Sequence, residues 1–296
     1  MPELPDVTVY IEALERFVVG RTLERARAIN PFILRSVDPP LSATEQREVK
    51  GTARVGKRIV LNMTDDLHIV IHLMIAGRLR WRDKGQKPPG KIAQAMFEFG
   101  HGTLFLTEAG SKRRASLHVV RGLDAVRAMD RGGIDVFVAT SDEFAARLRG
   151  ENHTLKRSLT DPRFFDGIGN AYSDEILHRA KLSPMVLTSR LSDDEIARLF
   201  DATRETLSDW MGRLRAEVGQ GFPETVTAFR EGMAVHGRFG KPCPVCGTPV
   251  QRIRYADNET NYCARCQTGG KLLADRALSR LLKQDWPRSI DELSEA

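Results

Sequence analysis

Four cysteines occur in the chain, all between Cys243 and Cys266. Cys243-Pro-Val-Cys246 and Cys263-Ala-Arg-Cys266 are two C-x2-C knuckles separated by sixteen residues. That spacing offers four thiolates to one tetrahedral ion, and the pattern is that of a zinc ribbon. A redox dithiol would account for one knuckle and leave the other unexplained. No further ligand lies nearby in sequence, so the site is read as closed, with one structural Zn2+ holding a hairpin too small to fold alone. The residues between the knuckles carry Arg252, Arg254 and Asn258, which either contact phosphate or stand solvated on the hairpin. A second candidate is Gly167-Ile-Gly-Asn170 at the start of a helical pattern. Two glycines and an Asn there make either a tight turn with a helix cap or an anion site built from backbone N–H groups and the positive helix end.

These residues need elements to hold them. Val7, Tyr10, Ile11, Leu14, Phe17 and Val18 follow helical spacing, with Gly20 where a helix stop belongs. Residues 21–121 break into short apolar runs at 58–63, 68–73, 95–99 and 103–107, punctuated by Gly and Pro, with KGQKPPG at 84–90 as a turn. They read as strands of a sandwich or barrel. From about Ser141 the pattern is helical, with Asp142 as a cap, then helices over 151–159, over 171–180 behind an Asn170 cap, and from Ser192 to about Val218 behind a Ser192-Asp-Asp-Glu195 capping box. One more short helical segment is expected before Gly237. An amphipathic helix over 271–284, carrying Leu272, Leu273, Leu278, Leu281 and Leu282, follows the last knuckle.

With 296 residues the chain accommodates two domains, and 41% hydrophobic with 28% charged residues excludes a disordered protein. The expected fold class is α+β and multidomain: an N-terminal helix with a two-layer β-sandwich (1–125), a linker and start of a helical domain (126–150), a helical DNA-binding domain (151–236), a four-cysteine zinc finger (237–270) and a helical extension (271–296). A net charge of +6 suits a polyanionic partner without requiring one. No apolar run reaches the roughly 18 residues of a membrane span, and MPELPDV lacks the basic, apolar character of a signal segment. A cytoplasmic monomer with no membrane partner is expected.

Read in order, PELPDV, then Lys156 followed by DPRFFDGIGNAYSDEIL, then HGRFGKPCPVCGTP with YCARCQ resemble the formamidopyrimidine-DNA glycosylase and endonuclease VIII family of base-excision repair enzymes. The resemblance runs from the N-terminus to about Gln267. It implies a β-sandwich domain, a helix-two-turn-helix domain with a zinc finger, and a double-stranded DNA partner containing damaged bases or abasic sites. It also implies removal of Met1, leaving the secondary amine of Pro2 as nucleophile at a sugar C1′. An α-amine titrates near 8, low enough for a useful unprotonated fraction at neutral pH. Glu3 is then the proton donor to the sugar ring. Lys57 matches a strand-borne lysine at the lesion phosphate, Lys156 and Asn170 match phosphate contacts, and Glu175 matches a buried organising acid.

Three stretches depart from the family pattern. His72-Leu-Met-Ile-Ala-Gly77 has Met74 and Ile75 where the family has Gly then Met, so the wedge that fills the space of an extruded base is Ile75 or Met74. The family's Asp-Pro-Arg-Arg-Phe is replaced by Glu-Ala-Gly-Ser-Lys112-Arg113-Arg114, a basic loop without the Phe. An Arg five residues before the third Cys is Asn258 here, leaving its contact to Arg252 or Arg254. The leading expectation is a bifunctional DNA glycosylase and AP lyase acting by β- and, in some members, δ-elimination. The alternatives are a weakly catalytic, damage- or structure-specific DNA-binding relative and, more distantly, an RNA-binding zinc-ribbon protein.

Overall fold

A computed structural model describes residues 1–227, 229–255, 258–274 and 287–294. The chain divides into two compact units, Met1–Arg131 with Trp210–Thr227 and Gly132–Asp209 with Ala228–Ala296. The domain boundaries expected from sequence keep 210–227 with the helices. Those residues instead join the first unit, because Phe222 packs among Tyr10, Phe17 and Trp81, with ring centroids 5.9, 5.6 and 6.4 Å away. The short helix expected there does not form among the described residues. Two ion pairs reinforce the strap, Arg215 to Glu12 at 2.6 Å and Arg82 to Glu224 at 2.9 Å.

The first unit opens with α1 (Leu4–Val18), two residues earlier than its apolar spacing suggests because Glu3 and Asp6 form a reciprocal cap. Eight strands follow: β1 (Thr22–Ala28), β2 (Arg47–Val55), β3 (Arg58–Met63), β4 (Leu67–His72), β5 (Gly77–Asp83), β6 (Ala93–Phe99), β7 (Gly102–Glu108) and β8 (Ser116–Arg121). They pair in the order β5-β7-β6-β1-β2-β3-β4-β8, every pair antiparallel. β1 and β2 share only Thr22↔Glu48 and Leu23↔Arg47, and β2 then continues along β3. This short seam joins two layers. Ile59, Leu61, Ile69, Ile71, Leu117 and Val119 from one layer meet Leu79, Phe97, Phe99, Leu104 and Leu106 from the other, together with Val7, Tyr10, Leu14 and Val18 of α1. Alternation on β3 and β4 sends Val60 and Val70 outward, where they pack on Val126 of α2 (Leu123–Arg127).

The second unit is helical: α3 (Ser141–Arg149), α4 (Leu155–Thr160), α5 (Asn170–Arg179) and most of α6 (Asp193–Val218). Its α3 is capped by Thr140, whose hydroxyl accepts from Glu143 N–H, rather than by Asp142. Phe144, Phe165 and Phe200 stack in its interior. The β9 (Gln251–Tyr255) and β10 (Asn258–Tyr262) hairpin and α7 (Ala264–Thr268) complete it. Of the expected C-terminal extension, Leu272 and Ile290 pack on Ile253 and Tyr262, and Tyr262 Oη accepts from Leu273 N–H at 2.8 Å. The remainder of the 271–284 helix expectation, from 275 on, lies outside the described residues.

The β4–β5 turn is the tightest feature of the first unit. Gly77 N–H donates to Leu73 O at 2.8 Å, Met74 has φ +52°, and a Cβ on Gly77 would lie 2.2 Å from Leu73 O. Gly77→Ala is therefore expected to lower stability by about 2 kcal/mol. Urea denaturation checks this, and a variant as stable as the parent contradicts the constraint placed on this turn.

Candidate active site and metal centre

The chain terminus packs into the first unit, with Met1 half-buried and Pro2 buried. Glu3 is 2% exposed and Asp6 1%. Glu3 N–H donates to Asp6 Oδ2 at 2.9 Å while the Glu3 carboxylate accepts the Asp6 N–H, which fixes the first turn of α1 and the residues before it. The amine of Met1, the residue ahead of Pro2, has its pKa pushed below the usual value of about 8. Burial is the largest cause; the Glu3 carboxylate opposes it, and Arg78 and Lys57 add to it. An amine so placed keeps a larger neutral, nucleophilic fraction at neutral pH than an exposed one.

Arg78, which no sequence motif singles out, is held by its own turn. Its Nη1 donates to Gly77 O at 2.6 Å and Ile75 O at 3.1 Å, and its Nε donates to Val226 O on the strap. Lys57 sits in the β2–β3 turn, where Gly56 takes φ +62°. His72 ends β4, paired with Arg58 on one side and Ser116 on the other. Burial, then Arg58, Lys57 and His118, push its pKa down to about 4. At neutral pH its ring is uncharged and offers an N–H rather than a charge. In the turn, Ile75 is 57% exposed and Met74 half-buried, so Ile75 is the apolar side chain that projects.

Beyond β7 the loop is pinned at its base. Glu108, 1% exposed, accepts Arg114 N–H at 2.8 Å and Ala115 N–H at 3.1 Å. Lys112, Arg113 and Arg114 are exposed, with Arg113 reaching Lys91 O at 2.8 Å.

In the second unit Asn170 is the first residue of α5, not its cap; Gly169 takes that place. The Asn170 amide instead donates to Glu259 O of β10 at 3.0 Å. Lys156 is 9% exposed, and its ammonium donates at 2.6 Å to both Asn170 O and Asp174 Oδ1. Asp174 Oδ2 lies 2.8 Å from His236 Nδ1 and accepts from Asn261 Nδ2 at 3.4 Å. Glu175 accepts three backbone N–H groups, Ala234 at 2.7 Å and Val235 and His236 at 2.9 Å. Burial raises its pKa and the three N–H groups oppose that rise.

The cysteine sulfurs converge. All four Sγ atoms lie within 4.8 Å of one another, with Cys246–Cys263 at 3.3 Å and Cys243–Cys266 at 3.9 Å. Zinc–thiolate bonds of about 2.3 Å imply tetrahedral edges of about 3.8 Å. The donor set therefore fits one zinc ion. His178 of α5, buried like Cys243, has Nε2 3.3 Å from the Cys243 Sγ. A thiolate can only accept, so Nε2 carries the proton. On the hairpin, Arg252 stacks 4.1 Å from the Phe239 ring centre and lies 3.6 Å from Glu259. Arg254 and Asn258 are exposed.

Three family models match in order: the formamidopyrimidine-DNA glycosylase N-terminal domain over residues 1–116, its H2TH domain over 137–213, and the zinc finger found in FPG and IleRS over 240–269. The formamidopyrimidine-DNA glycosylase of Desulforamulus reducens is 32% identical over 281 residues, covering 90% of this chain and 99% of that protein. The chain belongs to the formamidopyrimidine-DNA glycosylase family. An uncharacterized formamidopyrimidine-DNA glycosylase-like protein of Mycobacterium tuberculosis is 44% identical over 162 residues, 55% of this chain and 99% of that one. The crystal structure of the MutM (Fpg) protein from Thermus thermophilus aligns with TM-score 0.75 at 29% identity, covering 90% of this chain and 98% of that one. The Lactococcus lactis Fpg in complex with abasic-site DNA, at 23% identity and TM-score 0.78 over 90% of this chain and 99% of that one, shares the fold. No helix among the described residues is long and apolar enough to cross a membrane.

His178 generates a test of the metal centre. His178→Phe removes the donor to Cys243, and zinc transfer to a chromophoric chelator should then be about tenfold faster or more. An unchanged release rate removes His178 from the support of the centre.

Proposed function

We propose that this chain is a bifunctional DNA glycosylase and AP lyase of base-excision repair. The observation that carries the reading is the burial of Pro2 next to the buried Glu3, at a chain end where the Met1 amine feels Glu3, Arg78 and Lys57. Family membership supports the glycosylase; the chemistry follows from the terminus. Once Met1 is removed, the Pro2 nitrogen attacks C1′ of the damaged nucleotide, Glu3 protonates the opening sugar ring, and the base leaves. The resulting iminium, formed because Pro2 is a secondary amine, draws electrons from the C2′–H bond, and loss of that proton expels the 3′ phosphate. Lys57 and His72 hold the neighbouring phosphate, the first by charge and the second by a neutral N–H. Ile75 fills the space of the extruded base. Asn170 and the loop residues Lys112, Arg113 and Arg114 serve as backbone contacts, which position DNA without reading its sequence. Lys156 acts chiefly by holding the Asn170 carbonyl and Asp174, and Glu175 by holding 234–236. One zinc ion on Cys243, Cys246, Cys263 and Cys266 keeps the hairpin folded.

Three observations favour the second reading, a DNA-binding relative with weak catalysis. The exposed hairpin position 258 is an Asn, Arg252 is committed to Phe239 and Glu259, and residues 109–115 carry no aromatic side chain.

Borohydride trapping on abasic and lesion-bearing duplexes separates the two. The crosslink should form on the N-terminal proline; the burial that lowers the Met1 amine should act on the Pro2 nitrogen once Met1 is gone, so that the rate rises with pH through a midpoint below that of an exposed prolyl amine. Glu3→Gln should slow base excision by about 10²–10⁴-fold while costing less at a pre-formed abasic site. A crosslink mapped to a lysine overturns the assignment of Pro2. No crosslink on any duplex, with fold and zinc intact, selects the DNA-binding reading.

A further inference from the structure

The first unit carries a second polar cluster that the reaction does not use. Residues 34–36 lie along the outer edge of β8: Leu34 bridges Leu117, Arg35 N–H donates to Leu117 O at 2.8 Å, and Val119 N–H donates to Ser36 Oγ at 2.7 Å. Leu34 packs against the core, so its neighbour Arg35 turns to the other side of the segment, where its charge acts on His118 of β8. His118 shares the outward face of the sheet with His72 and Arg58, because Val70 pairs with His118 while His72 pairs with both Ser116 and Arg58. Arg58 Nη1 donates to Met129 O at 3.1 Å, which fixes its guanidinium over this face.

His118 Nδ1 is buried and has no hydrogen-bond partner among the described residues. A buried polar atom without a partner calls for an explanation. Burial first, then Arg58 and Arg35, lower the pKa of the His118 ring below the ordinary histidine value, which favours the neutral form at physiological pH. The same Arg58, with Lys57 and His118, acts on His72. His72, Arg58 and His118 therefore gather on the outward face of this layer, with Arg35 on the segment docked at its edge. Phe32, 78% exposed, and Val37, 90% exposed, flank Arg35 on the same docked segment. Cationic and apolar side chains side by side make a surface suited to a sugar-phosphate chain.

We propose that Arg35 and His118, with Arg58 behind them, form a phosphodiester site that takes the damaged strand beyond the lesion, extending the grip that starts at Lys57 and His72. This rests on the DNA-repair reading above. Diagonal neighbours on a sheet stand roughly 7–8 Å apart. That is about the distance between neighbouring phosphates of one strand, whose path winds round the axis and so exceeds the ~3.4 Å axial rise. The two partners act differently. Arg35 contributes charge and therefore counterion release, whereas neutral His118 donates an N–H with no charge.

The test is binding of abasic-analogue duplexes across salt. Arg35→Ala should flatten the slope of log affinity against log salt by ~0.9, so that a fourfold rise in salt costs roughly three- to fourfold less than in the parent. Arg35→Lys should restore the slope. His118→Ala should weaken binding roughly tenfold at fixed salt with the slope unchanged. Both effects should vanish on duplexes shortened on one flank of the lesion and persist on duplexes shortened on the other. Arg127→Ala, on an exposed helix already paired with Asp124, serves as the surface-charge control. An equal loss in Arg127→Ala, or effects independent of both flanks, overturns the site. Nitrogen NMR of the His118 ring separates the sources of phosphate: a shift with duplex but not with equimolar inorganic phosphate is expected, and an equal shift with both overturns the strand assignment. If the parent itself neither binds nor is trapped on any duplex, the DNA-repair reading fails first and takes this site with it.

Discussion

A chain end is ordinarily the least ordered part of a domain, and the chemistry proposed here depends on its being one of the most ordered. The constraint that achieves this is the reciprocal cap between Glu3 and Asp6, both almost fully buried. Two carboxylates in a low-dielectric setting are costly unless hydrogen-bonded, and here each accepts a backbone N–H of the other's residue. The cap can sit at that depth because α1 drives Val7, Tyr10, Leu14 and Val18 into the sandwich core. The two strand turns then supply the cations: the β2–β3 turn brings Lys57, and the β4–β5 turn brings Arg78 to the same amine. Loosen α1 and the nucleophile, the acid and the electrostatic neighbours lose their common reference.

The second unit solves a related problem with adjacent acids on α5. Asp174 faces two side-chain bases, Lys156 and His236, while Glu175 takes three consecutive backbone N–H groups from 234–236. One acid ties helix to helix, and the other ties α5 to the segment leading into the first knuckle. His178, one turn further along α5, reaches the Cys243 sulfur itself. The helix whose first turn is proposed to meet phosphate is therefore the helix that braces the metal centre. Loss of zinc should be felt at Asn170 through Glu259 as well as in the hairpin.

What is legible in the sequence is whatever lies close together along the chain. The two knuckles, the terminal Pro-Glu, the strand runs and the Ser192 capping box are local patterns, and each has its counterpart in the fold. Pairings across long separations carry no such mark. Arg35 and His118 are 83 positions apart by number and His178 and Cys243 are 65 apart, so nothing local to either residue announces the other. Arg78 escapes notice because an arginine on an outer strand is ordinarily solvated. Asn170 reads as a cap because Asn before a helix usually is one. Its amide goes instead to a carbonyl on β10, a partner no local rule could supply. The strap at 222–227 is illegible for the same reason: its extended course is set by Phe222 seeking Tyr10, Phe17 and Trp81 rather than by its own propensities.

The departures from the family pattern sort by what physics lets another residue replace. Phosphate neutralisation is nearly interchangeable along a strand, because counterion release depends on how many charges are met and little on which side chain meets them. The missing guanidinium at Asn258 can therefore be offset in affinity by Arg35, or by Lys112 and Arg114 on the exposed loop. Filling the space left by a base is not interchangeable in that way, since it requires an apolar group at one point at one moment. Ile75, held out by a turn in which Gly77 admits no Cβ, meets that requirement; a loop without an aromatic side chain adds nothing to it. On the proposed reading, affinity for DNA is spread over many replaceable contacts, whereas base extrusion is concentrated in one rigid turn. Substitutions that weaken binding should be tolerated far better than any that loosen residues 73–77.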